Sequence, residues 1–347
     1  MTQSQENAHL LALYQGRQVY HGEMHDHSAS GGTSDGKCTL AHWREQLGAL
    51  KMDFAAILDH RQIRHMYQPE WEDGLFIPGT EPGTEITDSG ARDAHLHYNM
   101  LLPDRDLFEG LLNAFPEYEF TGGIEGHFVY PTFTRERFGQ LIDAVLERGG
   151  FFVHPHPKLI MDSDNPLDYW FRDNTGIEVF YRNMDSEYTE ANYPLWLDLL
   201  AMGKRVFACA GGDLHSETVN TALTTLYAEA HSAKAYLPHL RAGDFTCGSV
   251  GIRMCVGDTK TGGICALEGQ RLTVCAADFH ESVCFEDHAY RLDILTDQGL
   301  LCSQAVSCDQ NNFVTVTLPA CAYVRAEVFD VTRNLRIAIG NPIWNTK

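Results

Sequence analysis

The segment TLAHWREQLGALKMDFAAILDH, residues 39–60, joins a helical pattern directly to a strand pattern. Its first half repeats large apolar residues at helical spacing behind Thr39, a candidate N-cap. The apolar run FAAIL, residues 54–58, is typical of a buried strand, and Asp59 and His60 follow it immediately. The segment therefore predicts a helix, a buried strand and then polar side chains where the strand ends.

The same order occurs twice more along the chain. TRERFGQLIDAVLERGGFFVHPHP, residues 134–157, and YPLWLDLLAMGKRVFACAGGDLHS, residues 193–216, each place histidines after a helix and a strand. The strand pattern GIEVFYRN, residues 176–183, lies between them. This alternation predicts an α/β fold with a parallel sheet or barrel, in which functional side chains gather at the carboxyl ends of the strands.

The pattern changes near residue 248. Short, partly alternating runs rich in β-branched residues follow, separated by turn residues. They are RLTVCAAD (271–278), YRLDILTD (290–297), FVTVTLP (313–319), YVRAEVFD (323–330) and LRIAIGN (335–341). We therefore expect two domains, an α/β domain over residues 1–248 and a small all-β, sandwich-like domain over residues 249–347.

The composition limits the partners. The formal net charge of −21 argues against nucleic acid or an anionic membrane surface as a partner, and favours a small-molecule substrate. We expect neither a signal peptide nor a membrane span, because the first 20 residues lack a basic segment and the chain lacks a long apolar run. The ten cysteines form no CxxC pair, so we expect reduced thiols and a cytoplasmic protein. A homo-oligomer is left open.

Histidines and carboxylates recur where the predicted strands end. His25 and His27 are two residues apart, as are Asp213 and His215, and this spacing on a strand places both side chains on one face. Imidazole and carboxylate ligands together suit zinc, manganese or iron. The candidate metal ligands are His25, His27, Asp35, His60, Glu85, His97, His156, Asp213 and His215, with His95 and His154 as alternates.

These motifs resemble those of the polymerase and histidinol phosphatase (PHP) superfamily. The similarity lies, in order, in HDHSASGGTSDG, ILDH, PGTE, HLHYNMLLP, VHPHP and GGDLH. Further similarity to the carbaryl-hydrolase-like branch lies in WLDLLAMGKRVFACAGGDLHS, AYLPHLRAGDF and IAIGNPIW. The resemblance implies a distorted (β/α)7 TIM-like barrel with two or three divalent metal ions, followed in that branch by a small β domain.

The resemblance also implies how the ligands divide. His25, His27 and Asp213 would hold one metal ion, with Glu85 as a bridging carboxylate. Asp35, His60 and His215 would hold a second ion, although SASGG lengthens the loop before Asp35. Glu85 would complete a third position with two histidines. His97 is preferred there to His95, and His156 to His154, because their sequence contexts fit the motifs better.

The chemistry expected of such a site is hydrolysis. Bound cations would lower the pKa of water and supply hydroxide as the nucleophile. The residues placed closest to this chemistry are His60, Glu85, Asp213 and His215. A phosphate group would be bound by Arg61, Lys158, Arg182 and Asn183 at the strand exits. We therefore expect a phosphoesterase acting on a small phosphorylated metabolite, with a carbamate, ester or amide hydrolase and a non-catalytic metal-binding module as alternatives.

Overall fold

The structure is a computed structural model that describes residues 2–89, 95–118, 130–160, 165–216 and 222–346. The α-helices in these residues are α1 (Gln3–Leu13), α2 (Leu40–Ala49), α3 (Arg105–Ala114), α4 (Arg135–Glu147), α5 (Pro157–Ile160), α6 (Glu187–Ala201) and α7 (Ala233–Ala242). The strands up to residue 248 are β1 (Gln18–Asp26), β2 (Phe54–Ile57), β3 (Phe76–Thr80), β4 (Gly83–Ile86), β5 (His95–His97), β6 (Asn99–Leu101), β7 (Thr132–Phe133), β8 (Phe151–His154), β9 (Thr175–Tyr181), β10 (Val206–Gly211), β11 (Thr224–Ala228) and β12 (Phe245–Gly248). The later strands are β13 (Gly251–Val256), β14 (Thr259–Lys260), β15 (Ile264–Cys265), β16 (Arg271–Ala277), β17 (Tyr290–Thr296), β18 (Gly299–Val306), β19 (Asn312–Thr317), β20 (Tyr323–Asp330) and β21 (Leu335–Asn345).

A mixed central sheet organises the first 248 residues. Its strands follow the order β10-β9-β8-β6-β3-β2-β1-β11-β12. β1, β2 and β3 are parallel, as are β8, β9 and β10, while β6 runs antiparallel between β3 and β8. The sheet curves so that Asp26, at the end of β1, forms a parallel bridge with Leu214, just beyond β10. The α/β prediction is thus confirmed, whereas the (β/α)7 barrel stays a prediction.

The helix ends in the structure carry the capping residues that the sequence indicates. Thr39 and Thr134 cap α2 and α4 by accepting hydrogen bonds from the backbone N–H groups of His42 and Arg137. α7 ends at Gly243, which adopts the left-handed conformation (φ 71°) that favours glycine. β1, β2, β3, β8, β9 and β10 run in the same direction, so their carboxyl ends lie at one edge of the sheet.

The residues after 248 form strands in two sheets. One contains β14, β13, β16 and β19. The other, β21-β20-β17-β18, joins the central sheet through hydrogen bonds between β12 and β21, so the two portions of the chain share a continuous sheet. The all-β character of this portion agrees with the alternating runs, while the boundary at residue 248 and the sandwich remain predictions.

One expectation about the cysteines was wrong. Cys284 and Cys308 form a disulfide, with Cα atoms 5.5 Å apart. The other eight cysteines are free. The pair was not visible from sequence spacing because the two residues lie 24 positions apart and are brought together by the chain between them. None of the helices in the described part of the chain is long and apolar enough to cross a membrane.

Candidate metal centre

His25 and His27 converge at the end of β1. Both side chains are fully buried, and their Nε2 atoms are 3.3 Å apart. The Oδ1 atom of Asp213 lies 3.0 Å from Nε2 of His27 and 3.6 Å from Nε2 of His25. The fourth side chain of this group is Glu81, whose Oε2 atom lies 3.2 Å from His25 and 3.3 Å from His27. These four residues are arranged as a group that could hold one metal ion.

The carboxylate at the centre of these groups is Glu81, whereas Glu85, the residue predicted for this place, lies outside them. The letters PGTE occur twice in succession, at residues 78–81 and 82–85, so the motif alone cannot decide between them. Glu81 directly follows the fully buried strand β3 of the central sheet. Glu85 lies exposed in β4, which pairs with β5 and β7 in a separate small sheet. The strand context, an apolar run ending at Glu81, is the signal that would have identified it.

Asp35 reaches the cluster despite its long loop. Its Oδ1 atom lies 3.0 Å from Nε2 of His215 and 3.5 Å from Nε2 of His60. Together with His27 these residues form a second group that could hold a metal ion. Gly36 explains how the loop returns, because a Cβ at that position would lie 2.5 Å from the backbone carbon of His27. The second predicted set is therefore brought together, with His27 added.

A third group surrounds the other oxygen of Glu81. Its Oε1 atom lies 2.9 Å from Nδ1 of His97 and 2.9 Å from Nε2 of His156. Oε2 lies 3.2 Å from Nδ1 of His60, and Glu81, His60 and His97 could hold an ion between them. Glu81, rather than Glu85, thus belongs to both the first and the third of these groups.

The two alternate histidines lie outside these groups. His95 stands on β5 with its ring 3.8 Å from the ring of Tyr130. His154 is buried beside Phe152 and Phe171, and burial lowers its pKa to about 3. A neutral imidazole in an apolar setting is a packing residue. His97 and His156, the residues preferred from the sequence, are the ones that lie beside Glu81.

Two residues that support the ligands were missed as such. Glu178, buried on β9, accepts a 2.7 Å hydrogen bond from Nδ1 of His25 and a 2.8 Å bond from the backbone N–H of His156. The bond from Nδ1 leaves Nε2 of His25 to face the cluster, the arrangement by which outer carboxylates orient metal-bound histidines. The Tyr181 phenol donates a 2.6 Å bond to Oδ2 of Asp213. Both residues lie in the strand pattern GIEVFYRN, residues 176–183, which also contains Arg182.

The charges of the cluster fit a set of divalent cations. Burial opposes ionisation of Glu81, yet His25 and the neighbouring imidazoles hold the pKa of its carboxyl well below the ordinary value. Burial likewise opposes protonation of His27, but the nearby carboxylates of Asp213 and Glu81 raise its pKa to about 9. Oε2 of Glu81 is buried among three imidazoles without a well-directed hydrogen bond. Ionised carboxylates and histidine nitrogens that face each other in a buried cluster form the donor set typical of a metal site.

The backbone around the cluster is strained at several strand exits. Arg61, His156, Arg182 and Asp213 all have positive φ angles, of 54°, 28°, 67° and 52°. Such conformations cost energy for residues other than glycine and concentrate at functional sites. In each case the residue is a proposed ligand or directly follows a residue of the cluster or of the strand that supports it.

The four predicted phosphate-binding residues lie at the strand exits but differ in their contacts. The Arg61 guanidinium stacks over the ring of Tyr130 at 4.3 Å. Arg182 is exposed, with its guanidinium carbon 5.3 Å from the ring centre of Tyr181. Asn183 is also exposed, and Lys158, at the start of α5, has its ammonium 5.8 Å from the ring centre of Tyr169. The arrangement leaves their role in substrate binding a prediction.

Comparisons with known proteins add limited information. No protein-family model and no curated protein sequence matches the chain. Among solved structures, a two-domain protein from Bacteroides vulgatus containing a predicted PHP-like metal-dependent phosphoesterase is 13% identical, with a TM-score of 0.42, over 95% of this chain and 96% of that one. A protein of Bifidobacterium adolescentis, predicted to be a metal-dependent phosphoesterase, is 17% identical, with a TM-score of 0.34, over 56% of this chain and 87% of that one.

A third similar structure is Endonuclease Q in complex with a 27-mer duplex, at 12% identity and a TM-score of 0.40, over 65% of this chain and 57% of that one. The expectation that nucleic acid is not a partner therefore gains no support from these structures. At such TM-scores none of them assigns a family or an activity to this chain.

Proposed function

We propose that this protein is a metal-dependent hydrolase of the PHP superfamily. The observation that carries the proposal is the convergence of five histidine side chains, those of His25, His27, His60, His97 and His156, on the two carboxylate oxygens of Glu81. The seven strands β1, β2, β3, β6, β8, β9 and β10, with the bridge between Asp26 and Leu214, support the distorted (β/α)7 barrel. The cluster then lies where such barrels carry their active sites, at the carboxyl ends of the strands.

The residues that would hold two or three divalent ions divide into three groups that share Glu81 or His27. They are His25, His27, Glu81 and Asp213; His27, Asp35, His60 and His215; and His60, Glu81 and His97, with His156 bound to Glu81. When bound, zinc, manganese or iron would supply Lewis acidity and activate water for hydrolysis. The donor set does not distinguish among these metals.

The chain's own residues set the geometry of this chemistry. Glu178 fixes the orientation of His25, and Tyr181 fixes that of Asp213. The side chains of His25, His27 and Glu81 are fully buried, whereas those of Asp35 and His215 are 61% and 30% exposed. The cluster thus has a buried floor and an open side, and substrate would enter beside Asp35 and His215.

A phosphate ester is the substrate class we favour. Arg61 directly follows the cluster residue His60 in the sequence, and Arg182 directly follows Tyr181, whose phenol bonds to Asp213. Guanidinium groups suit phosphate because they bind its oxygens with paired hydrogen bonds. Hydrolysis of a carbamate or another carbon ester, as in the carbaryl-hydrolase-like branch, is the alternative, since it requires fewer cationic groups.

The test is a hydrolysis screen after reconstitution with zinc, manganese or iron. The substrates are phosphomonoesters, phosphodiesters and aryl carbamates, and Asp213→Asn is the inactive control. We expect phosphate release that falls in Arg61→Gln and Arg182→Gln, with KM raised more than kcat is lowered. Carbamate turnover unaffected by these two variants would support the alternative substrate. Stoichiometric metal without turnover of any substrate would instead support a non-catalytic metal-binding module.

A further inference from the structure

The loop that carries Asp35 is bound by the segment that follows β2. This loop, residues 28–35, begins with SASGG and brings Asp35 back to the cluster. Gly31 and Gly32 are exposed and have positive φ angles of 75° and 69°. The side chain of Asp35 is itself 61% exposed, so packing around it contributes little to its position. The place of Asp35 therefore depends on the contacts made by the loop before it.

Asp59 binds the first part of the loop. Its Oδ1 atom accepts a 2.6 Å hydrogen bond from the backbone N–H of Ser28. Its Oδ2 atom accepts bonds from the hydroxyl groups of Ser28, at 2.7 Å, and Ser30. Nδ1 of the buried His65 lies 3.0 Å from the same oxygen. These contacts end at Ser30, before the two glycines.

Gln62 binds the loop at the glycines. Its buried Nε2 group donates hydrogen bonds to Oγ of Ser30, at 3.0 Å, and to the backbone carbonyl of Gly31, at 2.6 Å. A Cβ at Gly32 would lie 3.0 Å from Oε1 of Gln62, so the amide lies directly against the backbone there. Glycine has the greatest backbone freedom of any residue. The Gln62 amide thus restrains the part of the loop with the most freedom to move.

A further contact lies beyond the glycines. The hydroxyl of Thr33 donates a hydrogen bond to the backbone carbonyl of His60. His60 belongs with Asp35 to the second group that could hold a metal ion. The loop is therefore bound, before and after the glycines, to residues that adjoin another member of that group.

We propose that Gln62 is a positioning residue for the metal centre, because its bonds to Ser30 and Gly31 set the place of Asp35. The inference rests on the proposed function, since it assumes that the second group binds a metal ion. The effect of Gln62 is confined to this group, because Asp35 belongs to neither of the other two. Gln62 touches none of the candidate ligands through its amide bonds and acts through the loop alone.

Gln62→Met separates this role from a contribution to packing. Methionine keeps the length and volume of the side chain but cannot donate to Gly31. Oε1 of Gln62 has no hydrogen-bond partner among the described residues, and Ser30 keeps its bond to Asp59. The carbonyl of Gly31, an exposed residue, can bond to water instead. We therefore expect the variant to fold, with a Tm close to that of the wild type.

Gln46→Met is the matched control. The Gln46 amide also has a buried Oε1 without a partner among the described residues, and its Nε2 lies 2.7 Å from Nε2 of His42. Both residues belong to α2. The control therefore makes the same chemical change without removing a bond to the loop.

Competition between the protein and a chromophoric chelator for zinc is the first measurement. In Gln62→Met one zinc ion should bind about 10- to 100-fold more weakly than in the wild type, whereas Gln46→Met should bind zinc as the wild type does. Asp35→Asn should weaken the same ion. The double variant Gln62→Met/Asp35→Asn should match Asp35→Asn alone, because Gln62 acts through Asp35. Additive losses in the double variant, or wild-type zinc affinity in Gln62→Met, would overturn the proposal.

Hydrogen exchange of the metal-free protein is the second measurement, and it needs neither zinc nor hydrolysis. The backbone N–H of Lys37, just beyond Asp35, donates to the carbonyl of His215 at 2.8 Å and reports on the loop. Gln62→Met should speed exchange in residues 29–37 by about two- to tenfold, the effect of one lost hydrogen bond, and leave β2 unchanged. Unaltered exchange beside normal zinc binding by the wild type would refute the role of Gln62 alone. A wild type that binds no zinc would refute the proposed function itself.

Discussion

The phenol of Tyr181 donates a 2.6 Å hydrogen bond to Oδ2 of Asp213, while Oδ1 of the same carboxylate faces His27 at 3.0 Å. Asp213 is therefore held from both sides, at a residue whose backbone already has a positive φ of 52°. A bond of this kind fixes which oxygen faces the cluster.

Replacing Tyr181 by phenylalanine should weaken metal binding without unfolding the protein. Loss of an outer hydrogen bond to a metal ligand typically lowers metal affinity by about 10- to 100-fold. The measurement is metal content after dialysis against a weak chelator. Tyr188→Phe is the matched control, since the Tyr188 ring lies 5.4 Å from that of Tyr181. Equal metal retention in both variants would show that the Tyr181 phenol does not position Asp213.

The two successive PGTE segments provide a pair of variants that distinguishes Glu81 from Glu85 as the central carboxylate. Glu81→Gln should lower metal affinity and hydrolysis by more than about a hundredfold, because it removes the carboxylate common to two of the three groups. Glu85→Gln should leave metal affinity and hydrolysis close to those of the wild type, since Glu85 is exposed in β4. Loss of metal in Glu85→Gln with retention in Glu81→Gln would restore the original assignment of Glu85.

This pair also shows how far sequence reasoning extends. The candidate ligands His25, His27, His60, Asp213 and His215 could be grouped from the sequence because each stands at or just beyond the end of a predicted buried strand, and such ends meet at one edge of a sheet. Glu85 was chosen because a four-residue motif carries no information about which strand it follows. The distinction depends on pairing, since β3 joins β2 whereas β4 joins β5 and β7.

Other features could not be predicted because they depend on contacts between distant segments. The bulge between Glu23 and Asp26 arises from the register of β1 against β2. The return of Asp35 to the cluster depends on the close approach of Gly36 to the backbone of His27. Neither the register nor that approach leaves a periodic signal in the amino-acid sequence.

Gly211 should be intolerant of a side chain. A Cβ at this position would lie 2.1 Å from Oε1 of Glu178 and 2.9 Å from Cβ of His25. Gly211→Ala should therefore lower the free energy of unfolding by about 1–3 kcal/mol and reduce metal content, because Glu178 must move away from His25. Gly48→Ala is the control. Gly48 lies exposed within α2, and a Cβ there would have no atom within contact distance. The alanine should therefore raise the free energy of unfolding by about 0.5–1 kcal/mol. Urea unfolding measures both, and a Gly211→Ala variant with wild-type stability would contradict the packing described.

Stability should fall as the pH is lowered, in part because of His21. Burial lowers the pKa of this histidine to about 3, with a smaller effect from His280. Between pH 6.5 and 3 the unfolded chain binds a proton at His21 that the folded protein does not, so stability decreases as the pH falls through this range. His21→Asn retains a group able to bond Thr225, the partner of Nδ1 at 2.9 Å. Urea unfolding at pH 7.5 and 5 should show a smaller loss in the variant, and equal losses would refute this role.

The Cys284–Cys308 disulfide makes a last prediction about the all-β portion. Closing a loop over a separation of 24 residues stabilises a fold by about 3 kcal/mol in the chain-entropy account, so Cys284→Ser and Cys308→Ser should each lower the free energy of unfolding by about that amount. Cys302→Ser, at a partly exposed free thiol, is the control and should change it little. Thiol titration of the denatured, unreduced protein should count eight reactive cysteines, corresponding to the eight free ones. Ten reactive thiols, with urea unfolding of the wild type insensitive to reductant, would show that the pair is not oxidised and would restore the expectation of reduced cysteines.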